Sequence, residues 1–319
     1  MNTLWRILSA GGLIFLTGCF SFPTPAALKV DPSTPAFKEA VAREAQHQQD
    51  DGKSAAEAEK IATQRVTRQF IQTERKQRAG QVAPLVQALT ALERPRGCWA
   101  YTVTTTTIAS DKAMVAVVRY DPSQPEERLW TLVSRNSEAP DEKQQADYRR
   151  TALAAWKKQL KADPPKDSRI EYVKSEALDE MKVESSSSTG QTTFTFIRGH
   201  GHVAIAGDIP SARETYTLDA NENILRHTTT DLEPATWLGG SYKSDYWDTS
   251  TDYVLLEPDL PPFVSRIKSH FRSHFLGTDS GDVQRESVFS DYRHVKCYDD
   301  RFETRIGQPT VIDFIPTKN

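Results

Sequence analysis

Cysteine, methionine and glycine are scarce in this chain, and it has no apolar run long enough to cross a bilayer as a helix. Three cysteines and three methionines among 319 residues exclude a cysteine-rich metal knuckle and a dense disulfide framework. The fifteen glycines form neither a phosphate-cradling G-x-x-x-x-G-K nor a dinucleotide-binding pattern. A G-x-S-x-G elbow and an H-E-x-x-H zinc helix are missing as well. The chain is therefore expected not to be an enzyme and to need no cofactor. Lys plus Arg number 40 against 43 for Asp plus Glu, and a net charge of -3 gives no global attraction to nucleic acid. What remains, with 38% hydrophobic and 26% charged residues, is enough for one large or two modest domains with a real core.

The beginning of the chain carries its sharpest signal. Arg6 supplies a positive charge, Ile7 to Leu16 is apolar but well short of the ~20 residues of a transmembrane helix, and Leu16-Thr17-Gly18-Cys19 follows. This segment resembles the signal of a bacterial lipoprotein. The resemblance implies cleavage before Cys19, a diacylglycerol on its thiol, and anchorage by two or three acyl chains. Phe20 stands where Asp would retain a lipoprotein on the inner membrane, which implies the periplasmic face of the outer membrane. In that oxidising compartment Cys98 and Cys297 form an even pair, read either as a disulfide or as two separate buried thiols.

The signal spans 1–18. Residues 19–35 hold Pro23, Pro25, Pro32 and Pro35 and read as a tether. Residues 36–80 form a charged helical segment, with helices over Ala36–Gln49 and Ser54–Ala79, a Ser54/Glu57 capping box and Gly80 as a C-terminal stop. A third helix, Gln81–Leu92, carries one apolar stripe of Val82, Leu85, Val86, Leu89 and Leu92 and is expected to lie on the core. Residues 81–319 are assigned to one β domain.

From Cys98 the period turns from helical to alternating. Strands are expected from Trp99 to Ile108, Met114 to Tyr120 and Arg128 to Ser134. A helix capped by Asp141 and Gln144 follows, with Leu153, Trp156 and Leu160 as its buried stripe and Pro164-Pro165 beyond its end. Further strands are expected over 192–197, 202–206, 214–218, 224–230 and 242–256. Ser185 to Gly190 reads as a loop. Phe263 to Leu276 could be helical at four-residue spacing, but strict alternation fits better. It places Phe263, Ser265, Ile267, Ser269, Phe271, Ser273 and Phe275 on one face and Val264, Arg266, Lys268, His270, Arg272, His274 and Leu276 on the other. A long hairpin then closes through Gly277–Gly281.

Metal ligation is weakly supported. Gly199-His200-Gly201-His202, with its two glycines between strands, reads more simply as a hairpin turn than as a metal pair. His270 and His274 on a strand lie ~13 Å apart. Asp245, Asp248 and Asp252 lack the glycine turn and closing Glu of a calcium loop. The basic row from Arg266 to His274 is read as a soluble outer face, with contact to anionic headgroups as the alternative. The Phe/Ser row suits either a core or a cavity for acyl chains.

The order of elements, with a helix before the first strand, a meander, an inserted helix and a closing hairpin, resembles the LolA/LolB-like lipoprotein-sorting superfamily of the bacterial envelope. Asp121 to Ser134 with Ala139-Pro140-Asp141, and Val288 to Val295, add local likeness. The resemblance implies an α+β fold: a curved antiparallel sheet, or incomplete β-barrel, whose concave face is covered by helices and binds lipid or acyl chains. Trp99, Tyr101, Trp130, Phe194, Phe196, Phe271 and Phe275 are the candidate lining residues. The partners implied are membrane lipid through acylated Cys19, an acyl-bearing ligand and, in the alternative reading, an envelope protein bound by the N-terminal helices around a filled core.

Cys19→Ser is expected to release the protein from membranes or leave an uncleaved precursor. Fractionation checks this, and a processed mutant that stays in the outer-membrane fraction would contradict the lipoprotein reading.

Overall fold

A computed structural model describes residues 20–21, 31–109, 112–161, 182–186, 189–198, 201–203, 207–209, 211–237, 242–276 and 278–303. The signal with Cys19, the Pro164-Pro165 segment and His200 lie outside the described residues. So do the side chains of Trp156, Leu160 and Phe275. Phe20–Ser21, placed in the tether by sequence, instead makes a two-residue antiparallel pairing with His202 and Val203.

Helix α1 spans Pro35–Asp50 and α2 spans Ala55–Leu92. The Ser54 hydroxyl accepts a hydrogen bond from the Glu57 amide at 3.4 Å, as the capping box predicts. Gly80 is no stop, because α2 runs through it and through Pro84 as well. A single glycine costs only ~1 kcal/mol in a helix interior, and packing on both sides outweighs it. The first half of α2 buries Ala58, Ala62 and Val66, and Phe70 meets Phe37 of α1 edge-on at 5.5 Å. The second half buries Val82, Leu85, Ala88, Leu89 and Leu92 against the sheet. The boundary expected at residue 80 thus falls inside one helix, and it marks a change of partner there. Helix α3, Glu142–Lys161, starts on the expected reciprocal cap. The Gln144 amide donates to Asp141 Oδ1 at 2.7 Å, and Gln144 Oε1 accepts from the Asp141 amide at 3.0 Å.

The long strands are β1 (Trp99–Ala109), β2 (Lys112–Tyr120), β3 (Trp130–Arg135), β4 (Lys182–Ser186), β5 (Gln191–Arg198), β6 (Ala212–Leu218), β7 (Ile224–Asp231), β8 (Tyr242–Val254), β9 (Phe263–Phe275) and β10 (Thr278–His294). Each pairs antiparallel with its neighbour in the order β4-β5-β6-β7-β8-β9-β10-β1-β2-β3, which leaves an open sheet. Short strands at Gly201–Val203, Gly207–Ile209 and Ala235–Trp237 extend the other end of the β8 edge. The fold is α+β, as the sequence implies. β4 corrects the loop expected from Ser185, since Ser185 and Ser186 pair with Thr192 and Gln191. β9 is a strand from Phe263 to Phe275, one residue short of the expected end at Leu276. Its register slips twice: against β8, where Ser265 stands unmatched between the pairs Asp252–Arg266 and Tyr253–Val264, and against β10, where Ser273 stands unmatched between Arg272 and His274. Val264 therefore joins the same buried cluster as Ile267, two faces that strict alternation would separate. Such bulges bend and twist the strands that carry them, and others interrupt β7, β8 and β10.

Two devices fasten the start of β1 to the rest. Cys98 and Cys297 are disulfide-bonded, with Cα atoms 5.4 Å apart across 199 residues of chain. Just before them the buried guanidinium of Arg96 donates to the Leu92 carbonyl at 2.9 Å and the Pro262 carbonyl at 3.3 Å. It lies 5.6 Å from the Phe263 ring centre. It thus ties the end of α2 to the start of β9. Burial lowers its pKa to about 10, still high enough to keep it charged. Gly97 adopts φ +74°, and a Cβ there would come within 3.2 Å of His294. The chain can turn from α2 into β1 at this point because the residue is glycine.

Two stability outcomes follow. Replacing Cys98 and Cys297 by Ser is expected to destabilise the fold by ~2–5 kcal/mol, because the reduced chain regains the entropy of a long open loop. Chemical denaturation of the oxidised and double-Ser proteins measures it, and coincident midpoints would contradict it. Gly80→Ala should stabilise α2 by ~1 kcal/mol, since nothing lies within 4 Å of an added Cβ. A lowered thermal midpoint would show that a continuous helix at this position is wrong.

Candidate functional site

The cross-strand register assembles two parallel rows over one face of the sheet. The first runs Phe194, Tyr216, His227, Thr251, Ile267, Ser287, then Thr105 and Ala116. The second runs Phe196, Glu214, Thr229, Thr249, Ser269, Arg285, then Thr107 and Met114. Side chains two residues apart share a face, so both rows point inward. Beside the second row a third is apolar: Trp247, Phe271, Val283 and Ala109.

The two ends of this face are closed by the protein's own side chains. At one end Phe194, Phe196 and Tyr216 lie under the Val82–Leu92 stripe of α2. At the other, Tyr101, Val103, Tyr120, Trp130 and Leu132 lie with Tyr148 and Ala152 of α3. Leu153, the described member of the expected α3 stripe, packs partly against this cluster. Ring contacts hold the cluster together, with Tyr120 4.6 Å from Trp130 and Tyr101 5.1 Å from Tyr120. Tyr120 donates to the Phe302 carbonyl at 2.9 Å, and burial drives its pKa upward. Trp99 lies against Phe263 at 5.0 Å, with its Nε1 donating to the Arg96 carbonyl. Of the seven expected lining residues, Trp99, Tyr101, Trp130, Phe194 and Phe196 are thus each no more than 6% exposed. Phe271 differs. It is half-buried and stacks on Trp247, with centroids 4.7 Å apart and planes at 14°.

Between the closed ends the inner face is lined by hydroxyls. Thr105 and Ser287 share a buried hydrogen bond of 2.9 Å, while Thr249, Thr251 and Ser269 stay half-buried. Toward the α2 end sits a polar group that sequence reasoning missed. The Glu214 carboxylate, 7% exposed, meets His227 Nε2 at 2.6 Å and accepts from the Thr229 hydroxyl at 2.9 Å. The His227 ring stacks on Tyr216 at 4.2 Å. A buried carboxylate is costly unless hydrogen-bonded, and these contacts supply partners. The available sequence signal was parity: Glu214 and Tyr216 alternate along β6 with Thr215 and Thr217. The middle of the face therefore presents the half-buried Trp247–Phe271 stack beside a strip of hydroxyls that also includes Arg285.

The opposite face is ionic and internally balanced. Arg266 and Lys268 both reach Glu286 at 3.4 Å, Arg272 meets Asp279 at 2.5 Å, and His274 meets Asp245 at 2.8 Å. His270 meets Asp282 at 2.6 Å, and the Tyr246 hydroxyl donates to the same oxygen. That bond pushes the Tyr246 pKa up to about 12 and the Asp282 pKa down. Lys243 and His274 hold Asp245 down at about 2. The expected basic row thus meets a carboxylate at every step, which suits a soluble outer face. Asp245 and Asp252 belong to these pairs, the latter with Arg226 at 2.5 Å. Among the described residues no group of His, Cys, Asp and Glu is placed to hold a metal, and no helix is long and apolar enough to span a membrane.

No family model matches this chain, and no curated protein matches it. Among solved structures, a LolA superfamily protein from Nitrosomonas europaea is similar over 68% of this chain and 96% of that one, at 10% identity and a TM-score of 0.29.

Proposed function

We propose that this is a lipid-anchored protein of the bacterial outer membrane that holds an acyl-bearing ligand on the inner face of its open sheet, without catalysing a reaction. The observation that carries this reading is the central stretch of that face. Phe271 and Trp247 stack there, half-buried, beside a strip of Thr and Ser side chains, while the ends of the same face are packed shut. An aromatic wall beside small hydroxyl residues offers apolar contact without filling the space in front of it, which is the composition of a ligand site. The lipobox at Cys19 supports a location where acyl chains are plentiful.

A second reading has its own support. The aromatic residues at both ends are consumed by the core, and α1 with the first half of α2 forms a charged hairpin packed mainly on itself through Phe37, Phe70, Ala58 and Ala62. A structural lipoprotein that uses this hairpin to bind an envelope protein would have these features.

A fluorescent fatty-acid probe separates the two. Ser269→Trp fills the space between Thr249 and Arg285 and is expected to weaken probe binding at least ten-fold while the thermal midpoint stays within a few degrees. Phe271→Glu should abolish binding, because a carboxylate among acyl chains is strongly disfavoured. Changing Arg266, Lys268 and Arg272 to Gln should leave binding intact, since those side chains face outward. Wild-type protein that binds no acyl probe would overturn the carrier reading in favour of the structural one.

A further inference from the structure

The outer face carries a second place where polar groups converge. Where β10 bulges between Ser290 and Arg293, Tyr101, Thr102, Arg119, Asp291 and Arg293 line a cleft of about 210 Å³. It differs from the β9 row in one respect. The cations of β9 all meet carboxylates, whereas Arg119 and Arg293 have no ion-pair partner among the described residues. Asp291 lies in the same cleft, where its carboxylate accepts a hydrogen bond from the neighbouring Ser290 hydroxyl at 3.1 Å. Thr102 is held opposite Arg119 and Ser290 by the β1 register.

The backbone here is also unusual. Asp291 has φ +54°, a left-handed conformation that few residues besides glycine, asparagine and aspartate adopt. Asp291 lines the cleft together with Arg119 and Arg293, and among the described residues no salt bridge joins it to either. Opposite charges lining one cleft without pairing leave room for a ligand that carries both signs.

We propose that this cleft binds a phosphoethanolamine group, with the phosphate between Arg119 and Arg293 and the ammonium on Asp291. The planar fork of arginine matches phosphate oxygens two at a time, and the Thr102 hydroxyl can donate to a further oxygen. A bare phosphate fits less well, because Asp291 repels an anion that brings no positive charge. The volume suits a headgroup and is too small for an acyl chain. The group can come from a phospholipid headgroup or from a free phosphoethanolamine compound. The site is on the opposite face from the proposed acyl site and stands or falls independently of it.

Isothermal titration of the full chain in detergent tests the assignment, with O-phosphoethanolamine, inorganic phosphate and dihexanoyl phosphatidylethanolamine as probes. Phosphoethanolamine is expected to bind at least ten-fold more tightly than inorganic phosphate. The R119Q/R293Q double variant should lose at least ten-fold for both. D291N should lose the preference for the zwitterion, and D291G should do the same while suiting the left-handed backbone, so a fold defect in one variant does not obscure the result. Binding of the short-chain lipid as tight as that of phosphoethanolamine identifies a membrane headgroup as the source, and preference for phosphoethanolamine identifies a free compound. The fatty-acid probe should bind R119Q/R293Q as it binds wild type. Absence of phosphoethanolamine binding, equal affinity for phosphate, or an undiminished double variant would each overturn the proposal.

Discussion

Two-residue alternation in an unbroken series of antiparallel pairs is the constraint on which the rest of this structure depends. Once β6 is paired with β5 and β7, and β9 with β8 and β10, a residue that faces inward on one strand requires its partner to face inward on the next. The row from Phe194 to Ala116 follows from that requirement alone. So does the difference between faces, with aromatic and hydroxyl groups and the buried Glu214–His227 pair within and the rows of exposed ion pairs without. A slip of one residue in β9 would bring Arg266 and Lys268 inside. The balanced pairs with Glu286 and Asp282 on the outer face help to fix the register against that slip.

The bulges convert this flat logic into shape. Ser265, Asp245 and the Asp291 region each add a residue to one strand of a pair, and each lies where something besides regular pairing is needed. At Ser265 the slip brings Val264 into the core and leaves Phe263 to Arg96 and Trp99. At Asp291 it opens a cleft. The two helices then divide the inner face unequally. α2 closes one end, α3 the other, and the disulfide with Arg96 binds the seam between them. The central strip with Trp247 and Phe271 is the part that neither cluster absorbs.

Much of this was legible in the sequence because it rests on local rules. The period of β9, the caps at Ser54 and Asp141 and the apolar stripe from Val82 to Leu92 could all be read from spacing and composition, and the bridge between Cys98 and Cys297 was one of the two readings that those cysteines allowed. What escaped depends on the surroundings. Gly80 looks like a stop until two different surfaces are seen to hold the helix on either side of it. Ser185 and Ser186 look like a loop until β5 supplies a partner. Tyr101, Trp130, Phe194 and Phe196 look like a lining because aromatic alternation is the same for a cavity wall and a packed core, and only the helices above them decide. Glu214 was invisible because a single acid on a strand is normally solvated, and its partners His227 and Thr229 come from the next strand.

The central claim is that the inner face holds an acyl-bearing ligand between its two closed ends. Native mass spectrometry of the full-length protein purified from its native source in a mild detergent tests this most directly. The account predicts a population heavier than the ligand-free chain by the mass of one lipid or acylated molecule, lost on collisional activation and absent from Ser269→Trp. A single species at the mass of the ligand-free chain, under conditions that preserve the fold, would contradict it.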